Sequence, residues 1–284
     1  MAGKILVMGA TGAVGSELVR VLLARGEPVR AATRCPRSER AASDPEYVEL
    51  DLDRPGTFAP ALAGVDRVFL MARPGDDQAH QTAIPLIDAC RRFGVSRLIA
   101  LTALGIERLE DNALRRVERH LEGSGIGFTH LRPNWFMQNF VREPLLSGLR
   151  ATRSIALPAA DAAISFIDVR DIAQVAAAAL CEPGHGGKAY ALTGGEALDH
   201  GEIARIIGQC VNATVRYLAL DEEAARRALG ATGLPAQRVE RLLGMYRLVR
   251  QGFSAGVSPD VQAVLGRPPT TFAEFARQHA ACWS

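Results

Sequence analysis

The sequence predicts an α/β fold: a Rossmann-type doubly wound parallel sheet with a smaller, mostly helical C-terminal lobe. Three observations predict it. Short apolar runs alternate with amphipathic stretches through the first half of the chain. A glycine-rich turn, Gly9-Ala10-Thr11-Gly12-Ala13-Val14-Gly15, stands between the first apolar run and the first helical pattern. The length, 284 residues, suits about two domains, or one large α/β domain with an appendage.

The elements follow in order. Ile5–Met8 reads as the first strand. Val14, Leu18, Val21 and Leu22 then recur at helical spacing, and Gly26 stands where a C-terminal cap belongs. Further strands are expected at Val29–Thr33, Tyr47–Leu50, Val68–Met71, Leu98–Leu101 and Phe128–Leu131. Pro85 either starts or kinks the helical stretch between the fourth and fifth. A helix from about Asp111 to Glu122 stops at Gly123-Ser124-Gly125. In the second half, Ile164–Ile167 and Lys188–Leu192 read as strands. Val169–Leu180, His200–Cys210 and the stretch around Val239, Leu242, Leu243, Tyr246 and Val249 read as helices.

Composition narrows the function classes. Hydrophobic residues at 48% and charged residues at 23% exclude a disordered or fibrous chain. A net charge of +2 gives no basic field, so no nucleic-acid partner is expected. No stretch approaches the roughly 20 apolar residues of a membrane span. The opening residues lack a signal-peptide pattern, which leads us to expect a cytoplasmic protein. Cys35, Cys90, Cys181, Cys210 and Cys282 are scattered and never form C-x-x-C. Neither disulfides nor a zinc site are expected. His80, His120, His130, His185, His200 and His279 show no metal spacing, and His130 reads as a satisfied core or rim histidine. No G-x-S-x-G elbow marks a hydrolase. Asp168 and Asp171 resemble a helix-capping pair, and Arg115, Arg116 and Arg119 a solvated helix face.

The glycine turn carries the chemistry. A tight turn that brings backbone against a diphosphate has no room for Cβ atoms, and the amides of the following helix bind negative charge. The spacing here is G-x-x-G-x-x-G, in the strand–turn–helix context that supports a nucleotide site. The second strand ends in Thr33-Arg34 where a carboxylate would select NAD. Arg34 offers a guanidinium fork to a phosphate, which favours NADP(H), although Arg30, Arg34 and Arg37 together could also be a solvated group. Other strand ends should face the cofactor: Asp51-Leu52, Met71-Ala72-Arg73, Thr102 and Pro133. Asp51 is either an adenine contact or a turn residue. We therefore expect a dinucleotide-binding domain over 1–153, rejoined by 164–193. The substrate lobe is expected over 194–284, with 134–163 contributing.

These residues give the chain a family resemblance. Gly9-Ala10-Thr11-Gly12, the segment Leu131-Arg132-Pro133-Asn134-Trp135-Phe136-Met137-Gln138-Asn139-Phe140, the segment Phe166–Ala173 and Leu265-Gly266-Arg267-Pro268-Pro269 together resemble the NmrA-like branch of the atypical short-chain dehydrogenase/reductases. Within it the chain is most similar to the ergot-alkaloid dehydrogenases that reduce cyclic iminium ions, then to quinone and triphenylmethane-dye reductases. The wider superfamily uses a Tyr-x-x-x-Lys pair, with a glutamate four residues after the lysine. Matching that glutamate to Glu118 puts Leu114 at the lysine position and Glu110 at the tyrosine position. Neither can donate a proton to an alkoxide, and Thr102 is the hydroxyl left after the fifth strand.

The resemblance and the missing acid imply an NAD(P)H-dependent reductase acting on a small conjugated electrophile, an imine, iminium or quinone. Trp135, Phe136, Phe140, Phe166 and Tyr246 are candidate aromatic walls for a flat substrate, or else packing residues. The rival is a dinucleotide-binding redox sensor that works through a protein partner, which would also lack the pair. No catalytic side chain and no metal ligand is assigned. Monomer and homodimer both remain open.

Overall fold

Val, Ile and Leu crowd the first strands because both faces of the sheet are covered, as parallel strands require. The computed structural model describes residues 3–35, 45–72 and 76–284. In chain order the elements are β1 Lys4–Val7, α1 Ala13–Ala24, β2 Val29–Thr33, β3 Glu46–Glu49, α2 Phe58–Leu62, β4 Val65–Met71, α3 Ala79–Arg92, β5 Arg97–Leu101, α4 Ala113–Glu122 and β6 Gly127–Pro133. Then come α5 Leu145–Thr152, β7 Ser154–Leu157, α6 Val169–Cys181, β8 Lys188–Leu192, α7 His200–Cys210, β9 Arg216–Ala219, α8 Glu222–Ala231, α9 Ala236–Arg250, α10 Asp260–Leu265 and α11 Phe272–His279. Two compact units result. The first comprises 1–133, 169–191 and 264–266, and the second 134–168, 192–263 and 267–284.

The first unit holds a sheet in the order β3-β2-β1-β4-β5-β6-β8. Strands β1 to β6 pair in parallel, with Ile5 opposite Val29 and Val7 opposite both Ala31 and Phe69. Alternation sorts the side chains. Leu6, Val68, Leu70, Leu98 and Ala100 face one way and pack with Leu62, Leu86, Ile87, Val117 and Leu121 of α2, α3 and α4. Ile5, Val7, Phe69 and Ile99, all without exposed surface, face the other way, where α1 and α6 pack together. Two strand arginines close helix ends. Arg30 Nη1 donates to the carbonyls of Ala61 (2.9 Å) and Ala63 (2.6 Å) at the end of α2, and Arg97 Nη1 to Ala179, Leu180 and Glu182 at the end of α6. Positive charge there complements the helix dipole. Arg30 is therefore a buried structural residue, not part of a solvated cluster, and Arg37 lies outside the described residues.

The structure departs from expectation in places with clear physical causes. Ile164–Ile167 forms no strand, because its amides donate to three different segments: Ile164 to Leu198, Ser165 to Ser254 and Ile167 to Trp135. A ladder needs one continuous partner. Of the two expectations for Pro85, the start of the helix is ruled out, because it lies within α3. β7 and β9 pair in parallel as a separate two-stranded sheet, and at four residues each they are too short for a periodic signal.

The second unit has its own core, built from Phe140, Phe166, Ile203, Ile207, Tyr246, Phe272 and Phe275 among others. Trp283 Nε1 ties the C-terminus in by donating to the Phe140 carbonyl at 2.7 Å. His200, at the start of α7, is buried in this core. Its ring stacks on Tyr217 at 5.3 Å and meets Phe166 and Phe140, and its Nδ1 has no partner among the described residues. Burial pushes its pKa down to about 4, against the opposing field of Asp199.

A pH dependence follows. The unfolded chain takes up a proton at His200 near pH 6.5 and the folded chain does not, so stability falls as pH drops through the window from about 6.5 to about 4. The loss attributable to His200 is on the order of 3 kcal/mol. Urea unfolding at several pH values should show His200→Phe with a flatter profile than the wild type. Equal slopes would refute this origin.

Candidate functional site

The turn after β1 lies where the strand order reverses between β1 and β4, the place where open α/β sheets bind ligands. Gly9 leaves the strand with φ of +62°, a conformation that favours glycine, and its carbonyl accepts from the Gly12 amide at 2.8 Å. A Cβ on Gly15 would run into the Gly9 carbonyl and come within 3.0 Å of the Ala10 amide nitrogen. Helix α1 can therefore press its first turn onto the strand end only because Gly15 has no side chain. Gly12 caps the helix without a side-chain bond, and the first turn holds no carboxylate. The amides of Ala13, Val14 and Gly15 have no acceptor among the described residues. Thr11 is exposed beside them, Val14 is buried beneath, and Ala10 bonds back to Ala32. An uncapped turn of free amides, too close-packed for side chains, fits a dinucleotide diphosphate.

The strand ends surround this turn. Thr33 ends β2, and its hydroxyl accepts from the Cys35 amide at 3.4 Å. Arg34 follows, exposed and without a hydrogen-bond or ionic partner among the described residues. The Asp51 carboxylate accepts from the Asp53 amide and from Arg54 Nε, both at 3.2 Å, while Leu52 beside it is buried. Met71 closes β4 with its methyl group against the open side of Gly9, and Ala72 packs with Ala79, Ala113 and Leu114. Arg73 lies outside the described residues. Pro133 ends β6 buried, its carbonyl accepting from Leu104 at 3.0 Å.

Helix α4 brings a charge cluster to the same edge. Thr102 Oγ1, just past β5, donates to Glu118 Oε1 at 2.7 Å. Arg132 of β6 donates to both carboxylate oxygens, Nε to Oε1 at 3.0 Å and Nη2 to Oε2 at 2.8 Å. Arg115 Nη1 reaches Oε2 at 2.8 Å. Burial alone would raise the Glu118 pKa, but the bonds from Arg132 and Thr102 and the nearby His130 and Arg132 charges outweigh it, and the carboxyl is held below its ordinary range. Glu110, just before α4, is bound by Arg115 and Arg119.

Two sequence readings need correction here. Arg115 is 5% exposed and ion-paired, so it is not on a solvated face; a helix arginine can lie inward when carboxylates at spacings of three and seven meet it. His130 is buried but not satisfied. Its Nε2 lies 3.3 Å from Glu122 Oε1, out of line for a hydrogen bond, and burial lowers its pKa. Glu118, Glu122 and His130 also bring ligand-type atoms within 4.8 Å of one another, which their spacing did not reveal. The guanidinium groups already bonded to Glu118 supply the positive charge that a cation would bring.

In the second unit, Phe140 (0% exposed) and Phe166 (3%) are core residues, packed edge to face at 5.2 Å. A ring without accessible surface is no wall for a ligand, so these two leave that set. Trp135 and Phe136 are half-buried, and Tyr246 lies under Trp135 with ring centroids 5.1 Å apart. Asp168 precedes α6 and accepts from Gln138 at 2.9 Å.

The sheet order, the switch-point turn and its free amides define a dinucleotide-binding α/β protein of the Rossmann class. The NmrA-like family model matches residues 1–276, and the chain belongs to that family. It is 35% identical over 98% of its length to an NAD(P)H azoreductase of Xenophilus azovorans, covering 99% of that protein. It is 28% identical to agroclavine dehydrogenase of Claviceps fusiformis, with 98% of each chain covered. The NADPH-dependent quinone oxidoreductase of Escherichia coli, solved with NADPH, superposes with a TM-score of 0.86 at 25% identity, covering 96% of this chain and 99% of that one. The azoreductase identity exceeds that of the ergot-alkaloid enzyme, which the motifs alone had placed first.

Gly15→Ala should cost about 1–3 kcal/mol of stability, as forced overpacking does, and should weaken NADPH binding in a fluorescence titration. Gly123→Ala, where the nearest atom to an added Cβ is 3.7 Å away, should stay within about 0.5 kcal/mol of wild type. Equal behaviour of the two variants would show that the turn is not close-packed.

Proposed function

We propose that the protein is an NADPH-dependent reductase that passes hydride to a small conjugated electrophile, a cyclic iminium ion or a quinone-like acceptor, without a side-chain acid. The observation that carries this is the α4 edge. Glu110 is bound by two arginines, Leu114 packs against Ala72, Ala79 and Ala113, and the Thr102 hydroxyl is given to Glu118. No tyrosine–lysine pair stands there to protonate an alkoxide.

The chain's own part is to bind and orient. The amides of Ala13, Val14 and Gly15 hold the diphosphate at the positive end of α1. Arg34, exposed and unpaired among the described residues, takes the phosphate that distinguishes NADPH from NADH. When bound, NADPH supplies the hydride. Reducing a simple ketone creates a basic alkoxide that needs a proton at once. Reducing an iminium ion removes a charge and needs none, and a reduced quinone gives a delocalised phenolate that water can protonate. A site that positions without donating protons therefore suits acceptors that are already electron-poor. Trp135 and Phe136 keep surface for such a flat molecule. The names of the relatives, an azoreductase and an alkaloid dehydrogenase, support an acceptor of this kind.

The test follows NADPH absorbance in purified protein with a panel of quinones, cyclic imines, azo compounds and cationic dyes. Turnover of at least one class, and none of simple ketones, is expected. Tight NADPH binding with no turnover of any acceptor would instead favour a redox sensor. Arg34→Ala should raise the Kd for NADPH by roughly 10- to 100-fold, the worth of a charge-assisted contact, with little change for NADH. An equal loss for both would discard the phosphate assignment.

A further inference from the structure

Glu118 is buried, with 0% exposure, in the middle of α4, and four hydrogen bonds reach its carboxylate, from Thr102 Oγ1, Arg132 Nε, Arg132 Nη2 and Arg115 Nη1. These donors come from three elements. Thr102 follows β5, Arg132 is the penultimate residue of β6, and Arg115 is one turn back on the same helix. The two strand ends are joined twice more by backbone. Thr102 donates to the Leu131 carbonyl at 2.9 Å, and Leu104 donates to the Pro133 carbonyl at 3.0 Å, beyond the end of β5. Glu107 stands 3.6 Å from the third Arg132 nitrogen, and Glu122 lies 3.1 Å from Arg115 Nη1. One carboxylate thus fixes the Thr102 hydroxyl, the direction of Arg132 and, through them, the backbone leading into Leu104 and out of Pro133.

We propose that Glu118 is the positioning residue of the cofactor-facing edge: its charge, gripped by Thr102, Arg115 and Arg132, holds the ends of β5 and β6 in the geometry that receives the nicotinamide half of the dinucleotide. The proposal rests on the reductase reading for what occupies the edge, and on the structure for how the edge is held. A shape-filling role is the alternative, and a neutral isostere separates the two. Gln has the volume of Glu, but one of its two terminal atoms is an amide nitrogen. With donors on both sides, that NH2 would face at least one N–H or O–H that it cannot accept from. A side chain needed only for packing tolerates this exchange with a change in stability alone. A side chain that aims its partners does not.

The experiment measures NADPH Kd by fluorescence titration and thermal midpoint for wild type, Glu118→Gln, Thr102→Val and Thr102→Ser. The Kd measurement needs no acceptor. With any acceptor that turns over, kcat and KM are added. Glu118→Gln should raise the NADPH Kd about tenfold and lower kcat more than it raises the acceptor KM, as expected when an orienting charge is lost. Thr102→Val, which removes one donor at constant volume, should show the same direction at about threefold, and Thr102→Ser, which keeps the hydroxyl, should restore wild-type values. A Glu118→Gln protein with lowered midpoint but wild-type Kd and kcat overturns the proposal and leaves Glu118 a stability element. If Glu118→Gln does not fold, identical Kd and kcat for the valine and serine variants overturn it. Failure of the reductase reading looks different: wild-type protein that binds NADPH and reduces no acceptor, while the ordering of Kd across the variants persists.

Discussion

The carbonyl oxygen of Gly9 lies where a methyl group on Gly15 would have to go. That single steric fact sets the rest of the first unit. It lets α1 begin hard against the end of β1, so three amides of its first turn open onto the switch point of the sheet rather than onto a capping side chain. Leu18 and Leu22, a turn and two turns further along, can then sink without residual exposure into the face that α1 shares with α6. Were the helix to start further out, both the anion site and that packing would be lost together. Binding and folding therefore draw on the same contact, and the glycine turn is where they meet.

The opposite end of the edge is organised by charge instead of by the absence of side chains. A carboxylate with no exposure is costly unless every lone pair is met by a donor. Glu118 meets that condition through Arg132, Arg115 and Thr102, and two of these are arginines, whose planar forks can reach two oxygens or two carboxylates at once. The arrangement is balanced rather than merely attractive: Glu107, Glu110 and Glu122 surround the arginines that surround Glu118. His130 stays at the rim of this cluster, where burial lowers its pKa more than the neighbouring carboxylates raise it.

The sequence revealed what is local and missed what is assembled from afar. β2, β8 and α7 fall on their expected residues because an apolar run or a 3.6-residue period is written within each segment. The glycine turn was legible for the same reason. Arg115 and Glu118 were not, since their meaning depends on Arg132, fourteen or more positions away, and on a strand end that only the sheet brings near. Ile164–Ile167 misled because its apolar content reports burial, whereas strand formation depends on which segments accept its amides, and here three do. Phe140 and Phe166 sat in motifs that suggested a ligand wall, yet only the packing of α11 beneath them, through Phe272, shows that their rings are enclosed. Asp51 stood between two roles, and the structure shows that its carboxylate accepts from the Asp53 amide and Arg54 within the turn.

The cluster also bears on why this edge would work without an acid. Placing a lysine at position 114 would set an ammonium beside Ala72, Ala79 and Ala113, whose side chains offer it no acceptor. Placing a tyrosine at position 110 would remove the carboxylate that Arg115 and Arg119 share and leave the inner guanidinium with fewer counter-charges. The second change would reach Glu118 through Arg115, which bonds both carboxylates. In the proposed reading, the lack of a side-chain acid is tied to the charge arrangement on α4, where Glu110 and Glu118 are both engaged by arginines. With Glu110 and Glu118 both given to arginines, the proposed reaction suits acceptors that take hydride first and find their proton in water.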